Sequence, residues 1–136
     1  MDVADIMTRS VVVLTGADTI RRALTLLEDS GVRHLPVVEG QRVIGMLSDR
    51  DVREYRLPIV DELENPTLAE ELLARPVTEA MNRDFVFVDD TEPLRRAAEL
   101  MIEYGVGAVP VLAGQGHELV GMVSYVDLLR IVLEDL

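Results

Sequence analysis

Two stretches of the chain pair a hydroxyl with a carboxylate at the same spacing. Gly45-Met46-Leu47-Ser48-Asp49-Arg50-Asp51 and Gly121-Met122-Val123-Ser124-Tyr125-Val126-Asp127 both spell Gly-Met-aliphatic-Ser-x-x-Asp. At a helix start, a serine hydroxyl and the exposed backbone N–H groups can receive a phosphate or ribose oxygen. The aspartate three residues on projects from the same turn. Its two acceptor oxygens match the two O–H donors of a ribose cis-diol. A glycine on the preceding strand lets a ligand or a neighbouring strand approach closely. Ser-x-x-Asp is also close to a capping box, in which the serine caps the helix and the acid reaches back. Two copies do not decide between these readings, because duplication copies caps as well as sites.

Other chemistries find no support. The chain has no cysteine, which removes disulfides, thiolate catalysis and Cys-based metal sites. Its two histidines, His34 and His117, lack metal-ligand spacing to one another. Asp49-x-Asp51 could touch a Mg²⁺ accompanying a nucleotide, although acids at a helix start are also favoured by the helix dipole. All 13 cationic residues are arginine, so a Gly-rich phosphate loop ending in Lys is impossible. Asp49-Arg50 follows Ser48 where a nucleophile elbow needs glycine. No nucleophile–base pair is visible, so the chain is expected to catalyse nothing and to require no cofactor.

Composition narrows the partners. A net charge of −12 repels nucleic-acid backbones over long range, yet permits a small anion in a local arginine-lined pocket. No apolar stretch approaches the roughly 18–20 residues that span a bilayer. The start, Met1-Asp2-Val3-Ala4-Asp5, is acidic where a secretory signal is basic. A cytoplasmic protein with no membrane and no nucleic-acid partner is the expectation. The core must be aliphatic, since 49% of residues are hydrophobic but only 4% aromatic.

The paired motifs belong to a larger duplication. Residues 3–40 align with 77–114 without a gap, with 13 identities that include Val3/Val77, Met7/Met81, Gly31/Gly105 and Pro36/Pro110. A two-residue insertion near Gln115–Glu118 then brings Gly45, Met46, Ser48 and Asp51 onto Gly121, Met122, Ser124 and Asp127. Each copy reads as lead-in, strand, helix, two strands and closing helix. The first strands are expected at Val11–Leu14 and Phe85–Val88. Ile20, Ala23, Leu24 and Leu27, echoed by Leu94, Ala97, Ala98 and Met101, form one apolar helical stripe per copy. Pro93 suits a first turn and Gly31 and Gly105 suit helix ends. Strand pairs follow at Leu35–Val38 with Val43–Leu47, and at Val109–Leu112 with Leu119–Val123. The expected division is 1–57 for the first repeat, 58–76 for a solvated acidic linker and 77–136 for the second repeat. Each half is too small to be securely stable alone, so the two should pack together and create clefts.

In this order the motifs resemble a tandem pair of CBS domains (a Bateman module), named after cystathionine β-synthase. The features that carry the likeness are Asp5-Ile6-Met7 and Glu79-Ala80-Met81, Gly31 to Val37, Gly105 to Val111, and the two Ser-x-x-Asp endings. The resemblance implies an α+β fold with α/β layers: two β-α-β-β-α repeats in one pseudo-twofold-symmetric module that often forms a homodimer. It implies a ligand of the AMP, ADP, ATP or S-adenosylmethionine class in clefts between the repeats. Asp51 and Asp127 would then hold ribose, with Ser48 and Ser124 beside them on ribose or phosphate. Val12, Leu35, Pro36, Met46 and, in the other copy, Val86, Val109, Pro110, Met122 would sandwich adenine, together with neighbours such as Val11, Leu47, Phe85 and Val123. Arg33 and His34, just before Pro36, are the phosphate candidates; Gly107-Ala108 carries no charge at the matching place. Asp49 adds a negative charge that Arg50 only partly offsets, whereas Tyr125-Val126 adds none. The two sites are therefore expected to be unequal, with the Asp127 site the better for phosphate and Arg33 and His34 reaching it from the first half. The expected function is a non-catalytic regulatory module signalling to an unknown effector in trans. A structural or dimerisation module without a ligand is the alternative.

Overall fold

The computed structural model describes residues 1–136. It is a mixed α/β protein with six strands and seven α-helices. The first repeat supplies β1 (Leu14–Thr15), α2 (Ile20–Ser30), β2 (His34–Glu39), β3 (Arg42–Ser48) and α3 (Asp49–Arg53). The second supplies β4 (Val88–Asp89), α6 (Leu94–Tyr104), β5 (Ala108–Ala113), β6 (Glu118–Ser124) and α7 (Tyr125–Asp135). The lead-ins form α1 (Val3–Ile6) and a 3₁₀ turn at Val77–Glu79; α4 (Ile59–Glu64) and α5 (Pro66–Leu73) lie between the repeats. No helix is long and apolar enough to cross a membrane.

The sequence signals explain most boundaries. Thr19 caps α2 by accepting the Arg22 N–H, and Pro93 sits directly ahead of α6. Both helices end on a left-handed glycine, Gly31 (φ 73°) and Gly105 (φ 64°), which relieves the Cβ strain of that conformation. Ile20, Ala23 and Leu27 are buried from α2, and Leu94, Ala97, Leu100 and Met101 from α6. Residues 58–76 hold more structure than a solvated linker requires: α5 buries Ala69, and Glu70 reaches Arg21 on α2 at 2.7 Å.

The first strands are shorter than the β-rich runs suggest. β1 and β4 begin only at Leu14 and Val88, pairing in parallel with Val37 on β2 and Val111 on β5. The residues just ahead of those partners are Pro36 and Pro110, which have no N–H to extend a ladder. Val11–Val13 and Phe85–Phe87 consequently stay outside regular pairing.

The chain packs as two compact units, and these are not the two contiguous repeats. One contains Val12–Gly40 with Ile44–Arg83; the other contains Met1–Val11, Gln41–Val43 and Asp84–Leu136. Each unit therefore combines one repeat with the lead-in that precedes the other. In the first-repeat unit, Val77 and Met81 join Leu14, Ile20, Ala23, Leu27, Leu35, Val37 and Leu47 in the core. In the second-repeat unit, Val3 and Met7 join Val88, Leu94, Ala97, Met101, Val109, Val111 and Val123. Nine positions of each core match under the sequence offset; Val52 and Leu100 complete the clusters, and their counterparts Leu128 and Leu26 are only partly buried, so the duplication preserved most of the packing as well as the order.

Candidate functional site

Each Ser-x-x-Asp motif spans the junction between a closing strand and a closing helix, β3–α3 in one unit and β6–α7 in the other. Both form the capping box. The Ser48 N–H donates to Asp51 Oδ2 at 2.8 Å, and the Asp51 N–H donates back to Ser48 Oγ at 3.2 Å. The Ser124 N–H donates to Asp127 Oδ2 at 2.9 Å, with the reverse bond at 3.4 Å. The helix start alone would account for the motif. The box nonetheless engages one carboxylate oxygen per aspartate, and Oδ1 of Asp51 and of Asp127 accepts no hydrogen bond. Both aspartates are half-buried, as are both serines.

The boxes differ in the serine hydroxyl. Ser124 Oγ donates to Asp127 Oδ2 at 3.2 Å, so its proton is already engaged. Ser48 has no matching bond, and its hydroxyl keeps its donor.

The glycines before the serines have a partner the sequence left open. A Cβ on Gly45 would lie 2.5 Å from Met81 Sδ, and one on Gly121 would lie 2.6 Å from Met7 Sδ. Real Cβ atoms do not approach so closely, so these glycines admit the lead-in methionines rather than a ligand. The methionines and the residues after them, Thr8 and Asn82, were missed as part of the site. The signal was present in the identity of Met7 with Met81 and of Gly45 with Gly121.

The apolar candidates divide by exposure. Leu35, Val109, Leu47 and Val123 are fully buried in the two cores. Pro36, Pro110 and Met46 are buried too, while Val12, Val86 and Met122 are half-buried and Tyr125 is exposed. Val11 and Phe85 are half-buried. The surface left for a ligand's apolar face is thus carried by the second group and by the unpaired stretches ahead of β1 and β4.

Charge separates the motifs further. In the first-repeat unit, the Asp49 N–H donates to the Arg33 carbonyl at 2.9 Å, which sets Arg33 and His34 beside the Ser48–Asp51 turn. The matching bond in the second-repeat unit runs from the Tyr125 N–H to the Gly107 carbonyl at 3.0 Å. Asp49, expected as a negative charge that Arg50 only partly offsets, is held by Arg53 at 2.7 Å, an i,i+4 pair on α3. Arg33 and Arg50 are exposed and make no ion pair. His34 is half-buried, and burial holds it below its ordinary 6.5. Asp51 and Asp49 pull its pKa up and Arg33 pushes it down, but desolvation dominates.

The CBS domain family model matches residues 3–58 and 77–134. The chain belongs to the CBS-domain family. A CBS domain-containing protein of Dictyostelium discoideum is 32% identical over 134 residues, covering 97% of this chain and 91% of that one. The structure of CBSX2, a CBS-pair protein of Arabidopsis thaliana, in complex with AMP matches with a TM-score of 0.79 and 26% identity, over 98% of this chain and 97% of that one. Some relatives are much longer. This chain covers 15% of an A-adding tRNA nucleotidyltransferase of Aquifex aeolicus at 27% identity. In such enzymes the region similar to this chain is a small part of the whole.

Proposed function

We propose that this CBS pair is a non-catalytic regulatory module that binds an adenosine-containing ligand of the AMP, ADP or ATP class. The observation that carries the reading is the repeated half-buried aspartate with one oxygen in the capping box and Oδ1 without a bond. Asp51 and Asp127 supply that oxygen to a ribose hydroxyl, and Ser48 keeps a hydroxyl donor for ribose or phosphate. Arg33, Arg50 and His34 supply positive charge for phosphate, with Mg²⁺ an optional companion through Asp49 and Asp51. Val12, Val86, Met122 and Tyr125 offer apolar surface to the base. The AMP complex of CBSX2 supports the ligand class. Ligand binding then shifts a conformational population that a cytoplasmic effector protein reads in trans.

A second reading, that of a dimerisation module, is favoured by α7. None of its residues is buried, and Leu129, Val132 and Leu133 are 54%, 49% and 68% exposed. A homodimer through this face is compatible with ligand binding, so oligomeric state does not separate the two readings. Calorimetric titration of AMP into wild type, Asp51→Ala and Asp127→Ala does. Saturable binding to wild type that is weakened in the single variants and lost when Asp51→Ala and Asp127→Ala are combined supports the regulatory reading. No heat with AMP, ADP or ATP at millimolar concentration leaves the dimerisation module.

A further inference from the structure

The lead-ins do more than fill space. Immediately after Met7, Thr8 exchanges two backbone hydrogen bonds with Met122: its N–H donates to the Met122 carbonyl at 2.8 Å and its carbonyl accepts the Met122 N–H at 2.9 Å. Asn82, after Met81, does the same with Met46, at 2.8 and 3.0 Å. On the other side of β6, Met122 stands opposite Pro110 in a pair whose backbone groups face away from each other. Met122 spends both its backbone groups on the lead-in. The two residues that lead into Ser124 are therefore fixed by a methionine in a glycine slot and a two-bond bridge, both delivered by residues 7–8. Residues 81–82 fix the approach to Ser48 in the same way.

Resting on the ligand-binding reading above, we infer that Met7-Thr8 and Met81-Asn82 are positioning residues for the two Ser-x-x-Asp motifs, and that the wiring is crossed. The segment ahead of the first repeat sets the Asp127 motif; the segment ahead of the second sets the Asp51 motif. Occupancy at Asp127 is thus expressed at residues 1–9, and occupancy at Asp51 at residues 76–83. Coupling of binding free energies is reciprocal. A partner protein that engages residues 1–9 changes affinity at Asp127 and leaves Asp51 alone. This gives the two sites separate outlets on one chain.

The test uses the full chain and begins without ligand. Met7→Ala should shift the backbone amide resonances of Ser124 and Asp127 and leave Ser48 and Asp51 in place; Met81→Ala should do the reverse. Met7→Leu, which refills the slot, should return most of the Ser124 shift. Shifts confined to the motif of the same repeat, or equal at both motifs, overturn the crossed wiring. Wild-type amide exchange covers the case in which an alanine variant fails to fold. Thr8 and Met122 should open together, and Asn82 and Met46 together; Thr8 exchanging independently of Met122 overturns the inference. With AMP as probe, Met7→Ala should weaken the Asp127-dependent site about tenfold and the Asp51-dependent site less than twofold. If AMP binds wild type but Met7→Ala leaves both sites unchanged, the positioning role is wrong while the binding reading stands. If AMP does not bind wild type, the binding reading fails, and the ligand-free shifts still decide the wiring.

Discussion

The Ser48–Asp51 and Ser124–Asp127 turns share a capping box, a glycine slot filled by a methionine and a bridge to a lead-in. What flanks them differs. Arg33, His34, Asp49 and Arg50 surround the first, where the second has Gly107, Ala108, Tyr125 and Val126. The shared features are those on which backbone geometry and packing depend. Apart from the buried Ala108, the differing ones sit on exposed or half-buried surface, where substitution leaves the fold intact and changes what can be bound. Duplication therefore kept two copies of a scaffold while the charge around each motif diverged.

The largest effects on either motif are expected at the methionine slots. Met7→Ala and Met81→Ala each remove a buried side chain, and each should cost about 2–5 kcal/mol by denaturant unfolding. Unequal costs would show that one unit carries more of the stability. Gly45→Ala and Gly121→Ala push a methyl into the same slots and should cost about 1–3 kcal/mol. Combining Gly121→Ala with Met7→Ala should cost less than the sum, because each change makes room for the other. Ser48→Ala and Ser124→Ala remove a cap and should cost about 1 kcal/mol each.

The smallest effect is specific to one motif. His34 titrates below the ordinary histidine value in the folded chain because burial disfavours its charged form. The unfolded chain binds the proton first as pH falls, so stability drops from the ordinary value of 6.5 down to the lowered folded one and then levels off. His34→Gln should flatten that slope, measured as unfolding free energy against pH. The position that matches it in the second repeat is Ala108, which has no titrating group. AMP phosphate near His34 should raise its pKa in an NMR titration, and an unmoved pKa would put the phosphate elsewhere.

Much of this was legible from the residues alone. The helix stripes from Ile20 and Leu94, the glycine caps and the closing helices at Asp49 and Tyr125 follow from periodicity and cap chemistry, which are local. The shortened β1 and β4 were harder, because Val11–Leu14 and Phe85–Val88 look like strands. Their pairing is limited by prolines more than twenty residues away. The Met7 and Met81 contacts were invisible for the same reason: a lead-in reads as part of the repeat it precedes, and only the tertiary fold seats it in the other. Asp49 reads as a repulsive charge when Arg50 alone is weighed against it, whereas its i,i+4 spacing to Arg53 on a helix marks the pair that holds it.

We propose that each motif aspartate offers one oxygen to an adenosine ribose. Thermal unfolding of wild type and of the Asp51→Asn, Asp127→Asn double variant, with and without millimolar AMP, tests it most directly. AMP should raise the wild-type midpoint, since a ligand of the native state stabilises it by mass action, and leave the double variant's midpoint unmoved. An equal rise in both proteins, or none in either, would mean that these aspartates hold no ribose.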